Sequence, residues 1–194
     1  REHLLAVVDG MAMDLDFDRY PDFALLERYC DRVAGVVGLM SAQIFGYSDE
    51  STRTYARDLG IAFQLTNNIR DVGEDARRGR IYLPQDEMER YGVTSTEISQ
   101  QRVTPGFKAL MAFQVQRARK FYDKAFASLP RVDRRSQRPG LIMAAIYQEL
   151  LERDPTHAAR VIFLTGDVQS DASQRFIEAT GRVRVTKPFT FDEL

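Results

Sequence analysis

Apolar side chains recur at the 3.6-residue helical period through the first 150 positions, and proline or glycine marks the breaks between runs. Leu4, Leu5, Val7, Val8, Met11 and Leu15 hold that phase across 4–15. Tyr20-Pro21-Asp22 interrupts it, with Asp22 placed to cap a second helix over 23–45. The turn Gly46-Tyr47-Ser48 leads to a long helix over 49–77, and Gly79 and Pro84 bracket a short loop. Pro84 opens a short helix stopped by Gly92, and Thr94 or Ser95 caps a brief helical piece. Pro105 opens a helix through Ser128, which Pro130 ends. The stretch 139–152 is nearly all apolar through Ile146, which predicts a deeply buried helix.

Beyond this point the pattern changes. ARVIFLTG (159–166) reads as a strand ending in a turn, 167–181 as an amphipathic helix with a glycine stop, and 182–189 as another strand. Strand–helix–strand after an all-helical region predicts a helical domain over 1–152 and a short α/β fragment over 153–194. The fragment is too small to bury a sufficient core as an independent domain.

Composition narrows the class. Apolar residues make up 44% and charged ones 28%, ordinary for a globular chain, and a net charge of −1 gives no bulk attraction to nucleic acid. No apolar run approaches the roughly 20 residues of a membrane span, and no signal-peptide pattern is present. One cysteine, Cys30, permits no internal disulfide and reads as a small buried hydrophobe in a reducing, cytoplasmic setting. The chain begins at Arg1 already in helical phase, the expectation for a piece of a longer protein.

The candidate chemistry lies in 60–84, GIAFQLTNNIRDVGEDARRGRIYLP. Asn67, Asp71 and Asp75 follow one another at intervals of four, which stacks them along one helix face. Two carboxylates and an amide suit Mg²⁺, which takes few protein ligands and completes its shell with water and phosphate oxygens. Glu74 is placed to orient a ligand, and Arg70, Arg77, Arg78 and Arg80 supply positive charge for a polyanion. The plainer alternative is a solvated face laced with ion pairs. Against it stand Gln64, Thr66, Asn67 and Asn68, polar groups in a segment that otherwise asks for burial and must find partners. The small residues Ala34, Gly35 and Gly38 in 23–45 let another helix, or a long ligand, come close.

These stretches resemble a known family. GMAMDL (10–15), YCDRVAGVVG (29–38), AFQLTNNIRDVGEDARRGRIYLP (62–84) and QRPGLIMAAIYQELL (137–151) are similar to the squalene/phytoene synthases, the head-to-head prenyl diphosphate synthases. The last of them leans toward the bacterial presqualene diphosphate synthases. The resemblance implies an all-α isoprenoid synthase fold, present in part, and a transferase of isoprenoid biosynthesis that joins two farnesyl or geranylgeranyl diphosphates. It implies that Asn67, Asp71 and Asp75 hold Mg²⁺ on the diphosphate, and that Arg70 and Arg80 meet the leaving group. Tyr29 would assist proton removal or stabilise a cationic intermediate. Gln64, Val33, Val37, Gly38 and Tyr147 would line the substrate pocket, and NADPH would serve a squalene-forming enzyme. Peripheral contact with the inner membrane is expected because the substrates are greasy.

The family's first aspartate-rich motif has no counterpart in the sequence. Asp14, Asp16, Asp18 and Asp22 lack the helical context to replace it, because Pro21 interrupts them. The expectation is a half-site without turnover, with a non-catalytic Mg²⁺–diphosphate-binding fragment as the alternative. Residues 155–194 resemble the last third of a response-regulator receiver, Thr165 matching its switch hydroxyl and Lys187 its phosphate-contacting lysine. The acidic pair and phosphoacceptor are missing, so the chain reads as a chimera or as the remnant of a signalling protein.

Overall fold

A computed structural model of the protein describes residues 1–152, and the receiver-like reading of 155–194 lies outside the described residues. Nine α-helices carry the described body. Helix α1 spans Glu2–Asp16, followed by the two-residue strand β1, Arg19–Tyr20. Helix α2, Phe23–Cys30, runs through a π-helical turn, Asp31–Gly35, into α3, Val36–Phe45. Helix α4, Ser51–Arg70, is followed directly by α5, Val72–Arg77, and by strand β2, Ile81–Pro84. Short helices α6, Gln85–Arg90, and α7, Ser95–Ser99, lead to the long α8, Pro105–Ser128. A 3₁₀ turn, Arg131–Asp133, precedes α9, Arg138–Glu152.

The expected caps are in place. Asp22 accepts from the Leu25 amide, Thr94 and Glu97 form a reciprocal capping box, and Thr104 accepts from the Phe107 amide ahead of Pro105. The buried Asp133 carboxylate anchors the start of α4 from a distance. It accepts from the Ser48 and Asp49 amides at 2.8 and 3.0 Å and from the Thr52 hydroxyl at 2.7 Å.

Helix α4 is the axis of the fold, buried on most of its circumference from Thr52 to Ile69 and packed against α8, α3 and α9. Its crossing with the α2–α3 helix is set by two glycines. A Cβ on Gly38 would lie 2.1 Å from the Ala56 carbonyl oxygen, and one on Gly60 would lie 2.3 Å from that of Ala34. Backbone therefore rests on backbone. The small residues of 23–45 serve this approach, and Gly38, expected as a pocket residue, faces α4 at Ala56.

Four expectations are corrected. The helix over 23–45 contains the π turn, where Asp31 forms a bidentate ion pair with Arg57 of α4 at 2.5 and 2.6 Å. The helix over 49–77 divides at Asp71, whose φ of −98° and ψ of 6° leave the helical basin. The loop after Gly79 contains β2, which pairs in parallel with β1, a ladder too short to carry an alternating pattern. Helix α9 is not deeply buried: only Ala144 and Leu151 are enclosed, and Ile146 is 52% exposed. Helix α1 likewise turns Leu4, Val8, Met11 and Leu15 outward, and α3 exposes Ile44. Periodicity identifies an apolar face but not whether a neighbour covers it.

Candidate active site

The second half of α4 carries four polar side chains, Thr66 and Asn68 buried and Gln64 and Asn67 partly so, and the fold gives three of them protein partners. Thr66 donates to the Ala62 carbonyl at 2.8 Å and shares a 3.0 Å hydrogen bond with the Tyr122 hydroxyl of α8. Gln64 donates to Asn68 at 3.1 Å, and Asn68 donates to the Cys30 sulfur at 3.8 Å. The exception is Asn67: its Oδ1 is buried and meets no donor. Tyr20 Oη, Tyr55 Oη and Asp58 Oδ2 share that state among the described residues, but only Asn67 lies on the acidic face of 67–75.

The break at Asp71 preserves the spacing on which that face depends. The Asp71 amide still donates to the Asn67 carbonyl, and the Asp75 amide to the Asp71 carbonyl, each at 2.8 Å. Asn67, Asp71 and Asp75 therefore remain one turn apart. Arg70 holds the Asp71 carboxylate in a bidentate grip at 2.7 and 2.6 Å. Its guanidinium is raised above its ordinary range first by those bonds and also, against burial, by the charge of Asp71 and by Tyr147. Burial, and then repulsion from Asp71, push the Asp75 carboxyl up to about 6. Tyr147 stands on α9 with its ring 4.8 Å from that of Phe63 on α4.

Glu74, Arg77 and Arg78 do not join this group. Glu74 accepts from Arg77 at 3.0 Å and from Arg78 at 2.7 Å, all three on the exposed side of α5. Here the solvated-face reading is the right one.

A second group forms where α1, α2 and the β1–β2 pair meet. Tyr29, buried on α2, donates to Asp14 Oδ2 at 3.1 Å, and Tyr82 of β2 donates to Asp14 Oδ1 at 2.8 Å. The Tyr20, Tyr29 and Tyr82 rings pack with centroids 5.4 to 5.7 Å apart. Arg80 joins the two groups: its guanidinium donates to the Asp14 carbonyl at 2.8 Å, and its amide donates to the Asp75 carbonyl at 2.9 Å. Tyr20 and Tyr82 are absent from the residues the sequence singles out as a site, and Asp14, set aside there for want of a helical context, stands on helix α1. Val33 is wedged beside Gly10 of α1, where a Cβ would lie 2.8 Å from its Cγ1, and Val37 is exposed.

Among the described residues no three His, Cys, Asp or Glu side chains converge as a metal cluster. What α4 and α5 offer is two carboxylates and a partnerless amide oxygen. That is the donor set of a cation completed by water and phosphate rather than by protein alone.

The described body is helical apart from the short β1–β2 ladder and carries an acidic–basic face at one end of its central helix. The family profile described as squalene/phytoene synthase matches residues 1–173, and the chain belongs to that family. It is 46% identical over 152 residues to phytoene synthase 2, chloroplastic, of Solanum lycopersicum, covering 75% of this chain and 49% of that protein. It is 44% identical over 152 residues to phytoene synthase, chloroplastic, of Daucus carota, covering 75% of this chain and 38% of that one. Among solved structures, a dehydrosqualene synthase in complex with ligand superposes with a TM-score of 0.71 at 28% identity, covering 93% of this chain and 64% of that chain. Squalene synthase HpnC from Alicyclobacillus acidocaldarius gives 0.72 at 24% identity, covering 81% and 60%. The described body has the helical isoprenoid synthase fold, and the chain spans about half or less of the plant relatives' length. No helix among the described residues is long and apolar enough to cross a membrane.

Proposed function

We propose that α4 and α5 form one side of a head-to-head prenyltransferase centre, holding the diphosphate of a prenyl diphosphate through Mg²⁺. The observation that carries this reading is the partnerless Asn67 Oδ1 in line with Asp71 and Asp75, two carboxylates close enough for one to raise the other. A divalent cation relieves both conditions at once. Asn67, Asp71 and Asp75 would hold it. When bound, it neutralises charge on the departing diphosphate.

The chain's own side chains supply the rest. Arg70, bonded to Asp71 and set beside Tyr147, would meet phosphate oxygens wherever Asp71 served a cation instead. Arg80, fixed on the Asp75 and Asp14 carbonyls, adds a second positive charge at the leaving-group end. Tyr29 offers a phenol to the cationic carbon, while Val33, Val37 and Gln64 border the tail and Gly38 sets how closely α3 approaches α4. The tomato and carrot relatives are phytoene synthases, which favours the phytoene outcome for this chain and makes geranylgeranyl diphosphate the first ligand to test; farnesyl diphosphate and NADPH would belong to a squalene-forming outcome.

Titration calorimetry with geranylgeranyl thiolodiphosphate tests the centre. Binding is expected only with Mg²⁺ and is expected to weaken at least tenfold in Asp71→Asn, the scale of a lost charge-assisted contact. Equal binding without the cation, or an unaffected Asp71→Asn, would sink the reading. A second reading is diphosphate binding without turnover, since Asn67, Asp71, Asp75 and Arg80 alone suffice for binding. Steady formation of a coupled C40 or C30 product from the isolated chain would exclude it.

A further inference from the structure

Asp14 lies outside the acidic face, yet it is the residue on which the tyrosine group converges. Its two carboxylate oxygens each accept from a different phenol, Tyr82 at 2.8 Å and Tyr29 at 3.1 Å. Its backbone carbonyl accepts from Arg80 at 2.8 Å. The three partners come from α2, β2 and the turn before β2, so one side chain at the end of α1 fixes groups from separate parts of the chain. A phenol whose O–H points at a carboxylate has its oxygen lone pairs turned the other way, and the carboxylate increases the negative charge they carry.

We propose that Asp14 is a positioning residue, which turns the hydroxyls of Tyr29 and Tyr82 so that their oxygens face the cationic end of the ligand. This rests on the prenyl diphosphate reading for the ligand's identity but not for the geometry. Arg80 supplies the physical link, since its amide is bonded to the Asp75 carbonyl while its guanidinium is bonded to Asp14. The diphosphate end and the phenol end are thereby held at a fixed separation. The titratable and charged groups facing the Tyr29 and Tyr82 phenols are Asp14 from α1, each phenol for the other, and Arg80, which lies against Tyr82, with the Tyr20 ring of β1 packed on both. Burial first, and then the bond to Asp14, push the Tyr82 phenol up to about 12; Tyr29 is raised further, by burial and then by Tyr82 and Asp14.

Asp14→Asn tests this with almost no change in volume. A carboxamide accepts through one atom and donates through the other, so one of the two phenols must reverse. In the full chain, absorbance at the tyrosinate band should show the Tyr82 ionisation falling from about 12 toward its ordinary 10, and the change should vanish in a Tyr82→Phe background. With Mg²⁺ present, Asp14→Asn should lose about tenfold in affinity for a prenyl ammonium diphosphate, a mimic of the allylic cation, while binding geranylgeranyl thiolodiphosphate within about twofold of wild type. A purely structural Asp14 would weaken both ligands together, and that result overturns the proposal, as does an unchanged tyrosine titration. If wild type binds neither ligand, the prenyl diphosphate reading and the cation-facing role fall together, while the titration still decides whether Asp14 orients the phenols. Should Asp14→Asn fail to fold, Tyr29→Phe and Tyr82→Phe must reproduce the selective loss of the ammonium ligand, and equal losses for both ligands would overturn it.

Discussion

Asp75 has a carboxyl whose ionisation its surroundings oppose. Its folded-state pKa, about 6, lies above the ordinary 3.8, so folding favours the protonated acid. The contribution of that acid is fully present below about pH 4 and is lost as pH rises through 6. In metal-free buffer, Asp75→Asn is therefore expected to raise the melting temperature at pH 8 by a few degrees, and the gain should disappear at pH 4. A gain independent of pH would place its cause outside the carboxylate. Under the proposed reading, the carboxylate that destabilises this face is also the one that would attract a cation to it.

At the scale of elements, the decisive contact is the α3–α4 crossing. Gly38→Ala would put a methyl group 2.1 Å from the Ala56 carbonyl oxygen, a backbone atom that cannot swing aside. The expected cost is about 1–3 kcal/mol, the range for overpacking, read as a lower denaturation midpoint with an unchanged slope. Because α4 carries Asn67 and leads into Asp71, the same change is expected to weaken Mg²⁺-dependent ligand binding. This role was only half legible in sequence: Gly38 announced a close approach, but not whether helix or ligand makes it. Helix ends were legible because Asp22, Thr94 and Thr104 cap them through local bonds. Asn67, Asp71 and Asp75 were legible because four-residue spacing is also a spatial period. Asp14 was not, since its partners Tyr29 and Tyr82 stand 15 and 68 positions away and no local pattern joins them. Helix α9 misled because a run of apolar residues carries no information about what lies opposite it.

At the scale of the whole described body, a long apolar surface stays open on α1, and its chemistry narrows what that surface is for. Leu4, Val8, Met11 and Leu15 fall within about 60° of one another around α1. Leu15 is 85% exposed. The charged residues of α1 itself are acidic, Glu2, Asp9, Asp14 and Asp16, which opposes adsorption to an anionic lipid surface and favours burial against protein. The exposed stripe is expected to drive self-association and to bind an apolar fluorescent dye. Sedimentation velocity on wild type and on a Met11→Lys, Leu15→Lys double variant checks this. The variant should shift the distribution toward a single small species and lose dye fluorescence, with its helical circular dichroism retained because neither side chain is buried. An unchanged distribution would move the association to another face, of which exposed Ile44 of α3 and Ile146 of α9 are the next to substitute.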